Sequence, residues 1–229
     1  MVFTSTKKNI ADPLDIVIDG CCIDKVNFTK FLGVYIDDKL NWKKHISYIS
    51  GKVSRGIGII VKARKLLPLT TLKTLYYSFI YPYFTYCNHV WGTACDTHLK
   101  PLVKLQKRCV RIITMSKYKA TTDPLFTKLG LLKLHGINKY VISKFMYKWY
   151  HDKLPSVFQF IRVSSVHDHS TRQSSHLYCP KLKTALGKRK YTYQAPHLWN
   201  QILEARINPE VSEAVFCKSM KQAIKVEFI

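Results

Sequence analysis

The sequence predicts a mainly α-helical protein that begins with a small antiparallel β segment. From residue 42 onward, apolar residues recur every three or four positions, which is typical of helices with one buried face. The first 41 residues instead contain short apolar runs around an Asp-Gly turn, which is typical of a hairpin. Because 47% of the 229 residues are hydrophobic, the chain can bury a sizeable core in one large or two small domains.

A hairpin is expected at the start of the chain. Asp15 to Ile18 and Cys21 to Ile23 are two short runs rich in apolar residues. Asp19-Gly20 between them suits the positive φ angles of a two-residue turn. A third strand is expected from Phe28 to Ile36.

A long helix is expected after the β segment. Apolar residues between positions 42 and 67 form one stripe, with lysines and arginines between them, and Asn41 is a suitable N-cap. Gly51, Gly56 and Gly58 would each weaken this helix by roughly 1 kcal/mol relative to alanine. Their presence indicates close packing or a bend.

Further helices follow, separated by prolines and polar segments. Pro68 is expected to open the second helix, and Pro82 is expected to interrupt it. The predicted helices span 69–80, 84–91, 98–115, 134–151 and 212–226. Residues 162–195 are polar and basic, so we expect a long loop or linker there.

The charge of the chain indicates a polyanionic partner. Lys and Arg number 37 against 14 Asp and Glu, which gives a net charge of +23. Residues 1–60 carry nine basic and six acidic groups, so +20 of this charge falls on residues 61–229. Such an excess is more than solubility requires, and it is typical of proteins that bind nucleic acid.

Composition also bears on where the chain acts. No apolar run approaches the ~20 residues of a membrane-spanning helix, and the first residues lack the apolar core of a signal peptide. Seven cysteines, an odd number at irregular spacings, are interpreted as reduced thiols. We therefore expect no membrane partner and an intracellular location, in the nucleus or the cytoplasm.

The run Tyr35-Ile36-Asp37-Asp38 raises the question of a polymerase metal site. Polymerases hold magnesium with two aspartates at the tip of a β-hairpin and a third carboxylate from an earlier strand. Here the residues after Asp38 show no strand alternation, and only 34 residues precede Tyr35. We therefore interpret Asp37 and Asp38 as solvated residues at a strand end and in a turn.

The residues around these aspartates resemble a known signature. The run from Phe31 to Ile46 reads FLGVYIDDKLNWKKHI and resembles the signature that follows the catalytic aspartates in reverse transcriptases of non-LTR (LINE-type, jockey-like) retrotransposons. Other family marks occur in the same order over nearly the whole chain. They are MVFTS at 1–5, LYYSFIYP at 75–82, Tyr86, VWG at 90–92, Leu102, LQKR at 105–108, RII at 111–113, LG at 129–130, TR at 171–172, YQAPHLWN at 193–200, Phe216 and Lys218.

The resemblance implies a fragment of such an enzyme, with a thumb-like helical bundle and a partly irregular C-terminal extension after the β segment. Residues 1–41 would be a remnant of the palm with a primer-grip-like β segment. Residues 42–161 would form the thumb-like helical domain, and residues 162–229 a basic C-terminal extension with a loop and terminal helices.

The resemblance also implies what the fragment can and cannot do. In the primer-grip-like segment, Phe31, Leu32 and Gly33 would support the primer end, although core packing explains Phe31 and Leu32 equally well. The catalytic aspartates would lie upstream, so we expect no enzymatic activity and no cofactor in this chain. The complete parent enzyme would use magnesium, and its missing upstream segments are a further possible partner.

Two basic surfaces are candidates for contact with RNA or an RNA–DNA duplex. Spacings of three and four put most cations of the first surface on one side of a helix, although a merely solvated helix face explains them equally well. The second surface has five cations in ten residues without an acid, next to tyrosines that could stack on unpaired bases. The first, the 100–111 strip, comprises Lys100, Lys104, Lys107, Arg108 and Arg111. The second, the 181–190 cluster, comprises Lys181, Lys183, Lys188, Arg189 and Lys190, with Tyr178, Tyr191 and Tyr193 beside it.

No metal site and no small-molecule substrate are predicted. Two groups of cysteines and histidines lack the paired short spacings and long intervening loop of zinc fingers. They are Cys87, His89, Cys95 and His98, and His167, His169, His176 and Cys179. Two alternatives to a polymerase fragment stay open: a stand-alone basic RNA- or DNA-binding protein derived from a retroelement, and a remnant without function.

Overall fold

The computed structural model of the chain describes residues 1–3, 16–166 and 174–226. In these ranges the chain forms ten α-helices and two antiparallel sheets of two strands each, so the predicted mainly α fold is confirmed. The strands are β1 (Val17–Ile18), β2 (Cys21–Cys22), β3 (Phe28–Phe31) and β4 (Val34–Asp37). The helices are α1 (Lys43–Ala63), α2 (Leu69–Phe79), α3 (Tyr81–Thr85), α4 (Asn88–Trp91), α5 (Asp96–Ile113), α6 (Asp123–Leu129), α7 (Leu134–Tyr150), α8 (Ala185–Lys188), α9 (Tyr191–Glu204) and α10 (Glu213–Lys225). None of them is long and apolar enough to cross a membrane.

The first hairpin matches its prediction, and the predicted third strand is wrong. β1 and β2 pair through a turn at Asp19 and Gly20, both of which have positive φ angles. The segment predicted as one strand from Phe28 to Ile36 is a second hairpin, because the chain turns at Leu32 and Gly33. Gly33 has a φ of 81°, which glycine adopts without strain. The turn that this residue permits reverses the chain, although the continuous apolar run by itself favours a single strand.

α1 begins one residue later than the cap prediction implied. Trp42 occupies the N-cap position in a left-handed conformation, with a φ of 64°. Asn41 precedes it, and its side-chain oxygen accepts a hydrogen bond from the backbone N–H of Lys43 at 2.9 Å. The helix ends at Ala63 rather than at Leu67, and Pro68 then opens α2 as predicted.

The other helices agree with their predictions except near Pro82, at α6 and in the segment 162–195. α5, α7 and α10 end within about two residues of the expected positions. Near Pro82 the chain forms two short helices, α3 and α4, separated by a left-handed residue at Cys87. α6 was not predicted, because it spans only seven residues and shows too little of the helical period.

The predicted loop at 162–195 is also partly wrong. α8 lies inside it, and α9 begins there, at Tyr191. The polar composition of this segment concealed these helices, because the large buried residues of α9, Leu198, Trp199 and Ile202, lie beyond its end at residue 195. Arg172 and its neighbours between 167 and 173 lie outside the described residues, as do residues 4–15 and 227–229.

One contiguous hydrophobic core extends from α1 to α10. α1 packs mainly on α5, and α7 packs on both α9 and α10. Trp91 and Trp199 are fully buried in this core, whereas Trp42 and Trp149 pack against it half-buried. The domain boundaries at 41/42 and 161/162 stay predictions.

A buried glutamine links three helical segments. The Gln106 amide nitrogen donates to the Tyr76 hydroxyl and to the Leu132 carbonyl, both at 2.9 Å. Its amide oxygen accepts from the backbone N–H of Leu134 at 2.9 Å. All these groups are buried, so this network fixes α2, α5 and the start of α7 relative to one another.

Candidate nucleic-acid interface

Asp37 has a structural role. Its carboxylate accepts hydrogen bonds from the backbone N–H groups of Lys39, Asn41 and Trp42, at 3.2, 2.9 and 2.8 Å. The residue is only 7% exposed, so the expectation that it is solvated is wrong. A carboxylate placed at the end of β4 is the nearest acceptor for these N–H groups, and it fixes the chain where α1 begins. Asp38 beside it is partly exposed.

The 100–111 strip lies on α5 on the side away from the core. The buried residues of this helix are Leu99, Leu102, Gln106, Cys109, Val110 and Ile113. At 100° per residue they form one face, and most of the strip points the opposite way. Lys100, Lys104 and Arg108 are exposed, and Lys107 is half-buried. The guanidinium of Arg111 donates from Nε to the Ala120 carbonyl at 2.8 Å, so this residue also holds the chain after α5.

No cation of the strip forms a salt bridge with a described carboxylate. The ion pairs in the described ranges lie elsewhere, between Lys133 and Asp123 at 3.4 Å and between Lys144 and Glu213 at 3.7 Å. Asp96 lies in the first turn of α5, before the strip begins. The strip is therefore a helix face whose positive charge is not paired with any carboxylate in the described part of the chain.

The 181–190 cluster surrounds the short helix α8. Lys181 and Lys183 precede the helix, and Thr184 caps it by accepting a hydrogen bond from the Gly187 N–H at 3.1 Å. Lys188 ends the helix, and Arg189 and Lys190 connect it to α9. All five cations are exposed except Arg189, which is half-buried.

One residue of the cluster, Arg189, lies within electrostatic range of Cys95, which immediately precedes α5. The pKa of the Cys95 thiol, at the N-cap of α5, is lowered by hydrogen bonds from Thr97 and additionally by the positive charge of Arg189. Arg189 therefore lies near the end of α5 from which Lys100 projects. This proximity could not be predicted, because about ninety residues separate the two basic segments in the sequence.

The three tyrosines beside the cluster differ in their surroundings. Tyr191 packs edge-on against Phe145 with ring centroids 5.0 Å apart, and its hydroxyl is buried. Burial of this hydroxyl raises the pKa of Tyr191. Tyr193 is half-buried near His197, and Tyr178 is exposed. The Tyr191 ring is thus packed against Phe145, and its contact with nucleic acid stays a prediction.

The three residues of the primer-grip-like segment form the tip of the β3–β4 hairpin. Phe31 and Leu32 are 62% and 73% exposed, so the alternative of core packing is wrong for both. Leu32 has a φ of 44°, an uncommon angle for a leucine. The Tyr86 hydroxyl donates to the Leu32 carbonyl at 2.6 Å and holds the tip against the segment between α3 and α4. We call Phe31, Leu32 and Gly33 the hairpin tip.

A pocket of about 340 Å³ lies beneath the hairpin tip. It is mostly apolar, and Gly33, Phe79, Pro82 and Tyr86 contribute to its lining. His45 lines it as well, where it accepts a hydrogen bond on Nδ1 from the Tyr35 N–H at 3.4 Å. Burial lowers the pKa of His45 to about 4, so this imidazole is neutral at pH 7. Sequence analysis included His45 only as part of the FLGVYIDDKLNWKKHI run and did not predict that it lines a pocket, since a single histidine on a helix carries no distinguishing signal.

Within 1–3, 16–166 and 174–226, no three histidine, cysteine, aspartate or glutamate side chains are grouped so that they could hold a metal ion. His167 and His169 of the second Cys/His group lie outside these ranges.

Comparison with known proteins identifies relatives of part of this chain. It is 27% identical over 146 residues to a protein of Drosophila melanogaster described as a probable RNA-directed DNA polymerase from transposon X-element; the match covers 62% of this chain and 15% of that protein. It is 26% identical over 150 residues to the RNA-directed DNA polymerase from mobile element jockey of Drosophila funebris, covering 64% of this chain and 16% of that protein. A probable polymerase from transposon BS of Drosophila melanogaster is 22% identical over 119 residues, covering 51% of this chain and 13% of that protein.

The matches thus span about a sixth or less of the length of these relatives. No protein-family model matches the chain, and no solved structure does. The resemblance drawn from the FLGVYIDDKLNWKKHI run is nevertheless confirmed by these relatives. Over about half to two thirds of its length, the chain is a partial homologue of the RNA-directed DNA polymerases, or reverse transcriptases, of non-LTR retrotransposons.

Proposed function

We propose that this chain binds RNA or an RNA–DNA duplex in the way expected of the thumb of a reverse transcriptase. The observation that carries the proposal is the exposed face of α5, whose cations pair with no described carboxylate, together with Arg189 of the 181–190 cluster near its N-terminal end. Lysines and arginines on such a face neutralise backbone phosphates and position the protein without reading sequence. The charge of +20 on residues 61–229 supports the same conclusion.

The hairpin tip would act beside this surface. Two exposed apolar side chains on a rigidly held turn can support the end of a primer strand by shape, which is the role that the resemblance implies. Residues 1–41, 42–161 and 162–229 would then serve as the primer-contacting β segment, the duplex-clamping helices and the basic extension. The protein would act where its nucleic acid lies, in the nucleus or the cytoplasm.

We further propose that the chain has no polymerase site of its own. Asp37 is the buried aspartate of the YIDD run, and its oxygens are already bonded to three backbone N–H groups. Templated DNA synthesis by the purified chain with magnesium should therefore be undetectable. Synthesis that is lost in Asp37→Asn would overturn this part of the proposal.

The binding proposal is tested by removing exposed cations of the strip. The variant Lys100→Gln/Lys104→Gln/Arg108→Gln leaves Arg111 intact, because Arg111 also holds the chain after α5. Its affinity for a labelled RNA–DNA duplex should fall at least tenfold at about 0.1 M salt. The slope of log K against log salt should become shallower by about 2 to 3, since each lost phosphate contact contributes roughly 0.9. Fluorescence anisotropy over a salt series measures both quantities.

A matched control separates a defined surface from overall charge. Lys153→Gln/Arg206→Gln/Lys218→Gln removes the same charge from exposed positions on other parts of the chain. We expect this control to lose less than threefold in affinity. Equal losses in both triple variants would mean that net charge alone attracts the duplex, and the proposed α5 surface would be abandoned.

A further inference from the structure

A second pocket, separate from α5, combines cations with aromatic rings. It has a volume of about 550 Å³ and lies among α3, α4, α7 and α10. We call it the lysine pocket after Lys144, Lys148 and Lys221, which all line it. Neither the resemblance to reverse transcriptases nor the proposed duplex surface includes these residues.

The spacing on α7 explains how one helix builds most of the pocket wall. Tyr140, Lys144 and Lys148 follow one another at intervals of four, so they lie in a row along the helix. Phe145 lies beside this row and also lines the pocket. Lys221 enters from α10, with its ammonium group 5.0 Å from the centre of the Tyr140 ring. The wall therefore combines aromatic and positively charged groups.

The pocket has an excess of positive charge. Glu213 is the carboxylate that meets a pocket lysine, at 3.7 Å from Lys144, and the side chains of both residues are about 40% exposed. Lys148 and Lys221 form no salt bridge within the described ranges. Two ammonium groups are thus available for an anion, next to rings that offer an apolar surface.

The aromatic side of the pocket has a neutral polar group. The rings of His89 and Phe145 are stacked, with centroids 6.0 Å apart and planes inclined by 26°. Burial lowers the pKa of His89, so its ring offers one donor and one acceptor nitrogen at pH 7. Phe145 is held edge-on by Phe158 and Tyr191, at 5.0 Å each, which makes this platform rigid.

We propose that the lysine pocket binds a single nucleotide, with the phosphate on Lys148 and Lys221 and the base against the His89–Phe145 platform. The volume falls in the usual range of small-ligand sites, roughly 300 to 1,000 Å³. Cations beside aromatic rings are the combination by which proteins hold unpaired nucleotides. The nucleotide comes either from solution or from an unpaired strand, and both sources share this chemistry.

The ligand series tests whether both parts of a nucleotide matter. AMP and ribose 5-phosphate carry the same phosphate, but only AMP carries a base. Titration of the purified chain, followed by saturation-transfer NMR, should show AMP binding at least fivefold more tightly than ribose 5-phosphate. Absent AMP binding, or equal affinities for the two compounds, would overturn the proposal.

Substitutions of the protein test whether AMP binds in the lysine pocket. Lys148→Glu/Lys221→Glu should weaken AMP binding at least tenfold, whereas the control Lys62→Glu/Lys128→Glu, on exposed positions of α1 and α6, should change it less than twofold. Equal losses in the two double variants would overturn the proposal.

A competition experiment distinguishes the two sources of the nucleotide. If a twelve-nucleotide single strand competes with AMP and loses affinity in the pocket variant alone, the nucleotide belongs to a strand. If only AMP responds, it is a free nucleotide. Duplex binding by the strip variants is measured separately. A loss of the proposed duplex-binding function would therefore leave the result for AMP binding in the lysine pocket unaffected.

Discussion

Asp37 illustrates how one side chain acquires its role from its surroundings. The sequence motif around it suggests metal chemistry, but its carboxylate oxygens accept from backbone N–H groups that the turn before α1 leaves without partners. Charge-assisted hydrogen bonds of this kind are stronger than neutral ones, so the residue stabilises the junction between β4 and α1.

Replacing Asp37 with alanine should reduce the free energy of unfolding by about 2 kcal/mol, because three N–H groups would lose their acceptor. Asp38→Ala is the matched control, and we expect a change of under about 0.5 kcal/mol at this partly exposed position. Urea unfolding followed by circular dichroism measures both. Equal effects of the two substitutions would contradict the structural role of Asp37.

Leu32 combines exposure with an unfavourable backbone angle. Leucine at a φ of 44° costs free energy that asparagine would avoid, since Asn-Gly is the preferred pair for such turns. Leu32→Asn should therefore stabilise the protein by roughly 0.5 to 1 kcal/mol and, if the hairpin tip supports a primer end, weaken binding to a primed template at least threefold.

Asp19→Asn serves as the control for Leu32→Asn, because Asp19 precedes a glycine in the same kind of turn, between β1 and β2. It should leave both stability and binding nearly unchanged. Unchanged binding in Leu32→Asn as well would remove the hairpin tip from the proposed function.

The three glycines of α1 differ in how closely other atoms approach them. A Cβ atom on Gly56 would lie 2.8 Å from the carbonyl oxygen of Phe79 and 3.1 Å from a side-chain carbon of Ile80. Gly51 and Gly58 have no other atom within 4 Å of the equivalent position. Close approach of α1 to the end of α2 therefore requires only Gly56.

Gly56→Ala should destabilise the protein by about 1 to 3 kcal/mol, because the contact is with backbone that cannot move aside cheaply. Gly58→Ala should instead stabilise it by up to about 1 kcal/mol, since alanine is the better helix former at an exposed site. Urea unfolding of the two variants measures both effects. The difference between the two unfolding midpoints reports how much the contact between Gly56 and the end of α2 destabilises an added Cβ atom. A destabilising Gly58→Ala, or a neutral Gly56→Ala, would contradict the packing described for α1.

The whole molecule has a single core that joins the N-terminal helix to the last one. His45, which is buried, and His89, which is half-buried, prefer the neutral form in the folded state, because burial lowers the pKa of each. In the unfolded state each would bind a proton near pH 6.5. Acid should therefore weaken the whole fold before carboxylates begin to titrate.

For His45, the folded pKa is about 4, so the unfolded state binds more protons between pH 6.5 and 4. The free energy of unfolding should fall with decreasing pH in that window, by roughly 2 kcal/mol, and His45 should add no further loss below it. His45→Gln should reduce the slope between pH 6.5 and 5, a range that ordinary carboxylates hardly affect. An unchanged slope in this variant would show that His45 is not the group responsible.

Much of the architecture follows from local sequence. The three- and four-residue spacing places α5, α7 and α10 to within about two residues and α1 except for its last turn, and the Asp19-Gly20 pair predicts its turn. These features depend on neighbours within one or two turns of the chain, which the sequence displays directly. The run from Phe31 to Ile46 likewise identifies the relatives of this protein without any coordinates.

The remaining features depend on contacts between residues far apart in the chain. Whether Tyr191 faces solvent or Phe145, and whether Arg189 approaches the start of α5, depends on how helices pack after they have formed. The lysine pocket needs α7 and α10 side by side. Periodicity tells which face of a helix is buried but not which partner buries it, and for that reason three-dimensional packing alone distinguishes a phosphate-facing cation from a structural one.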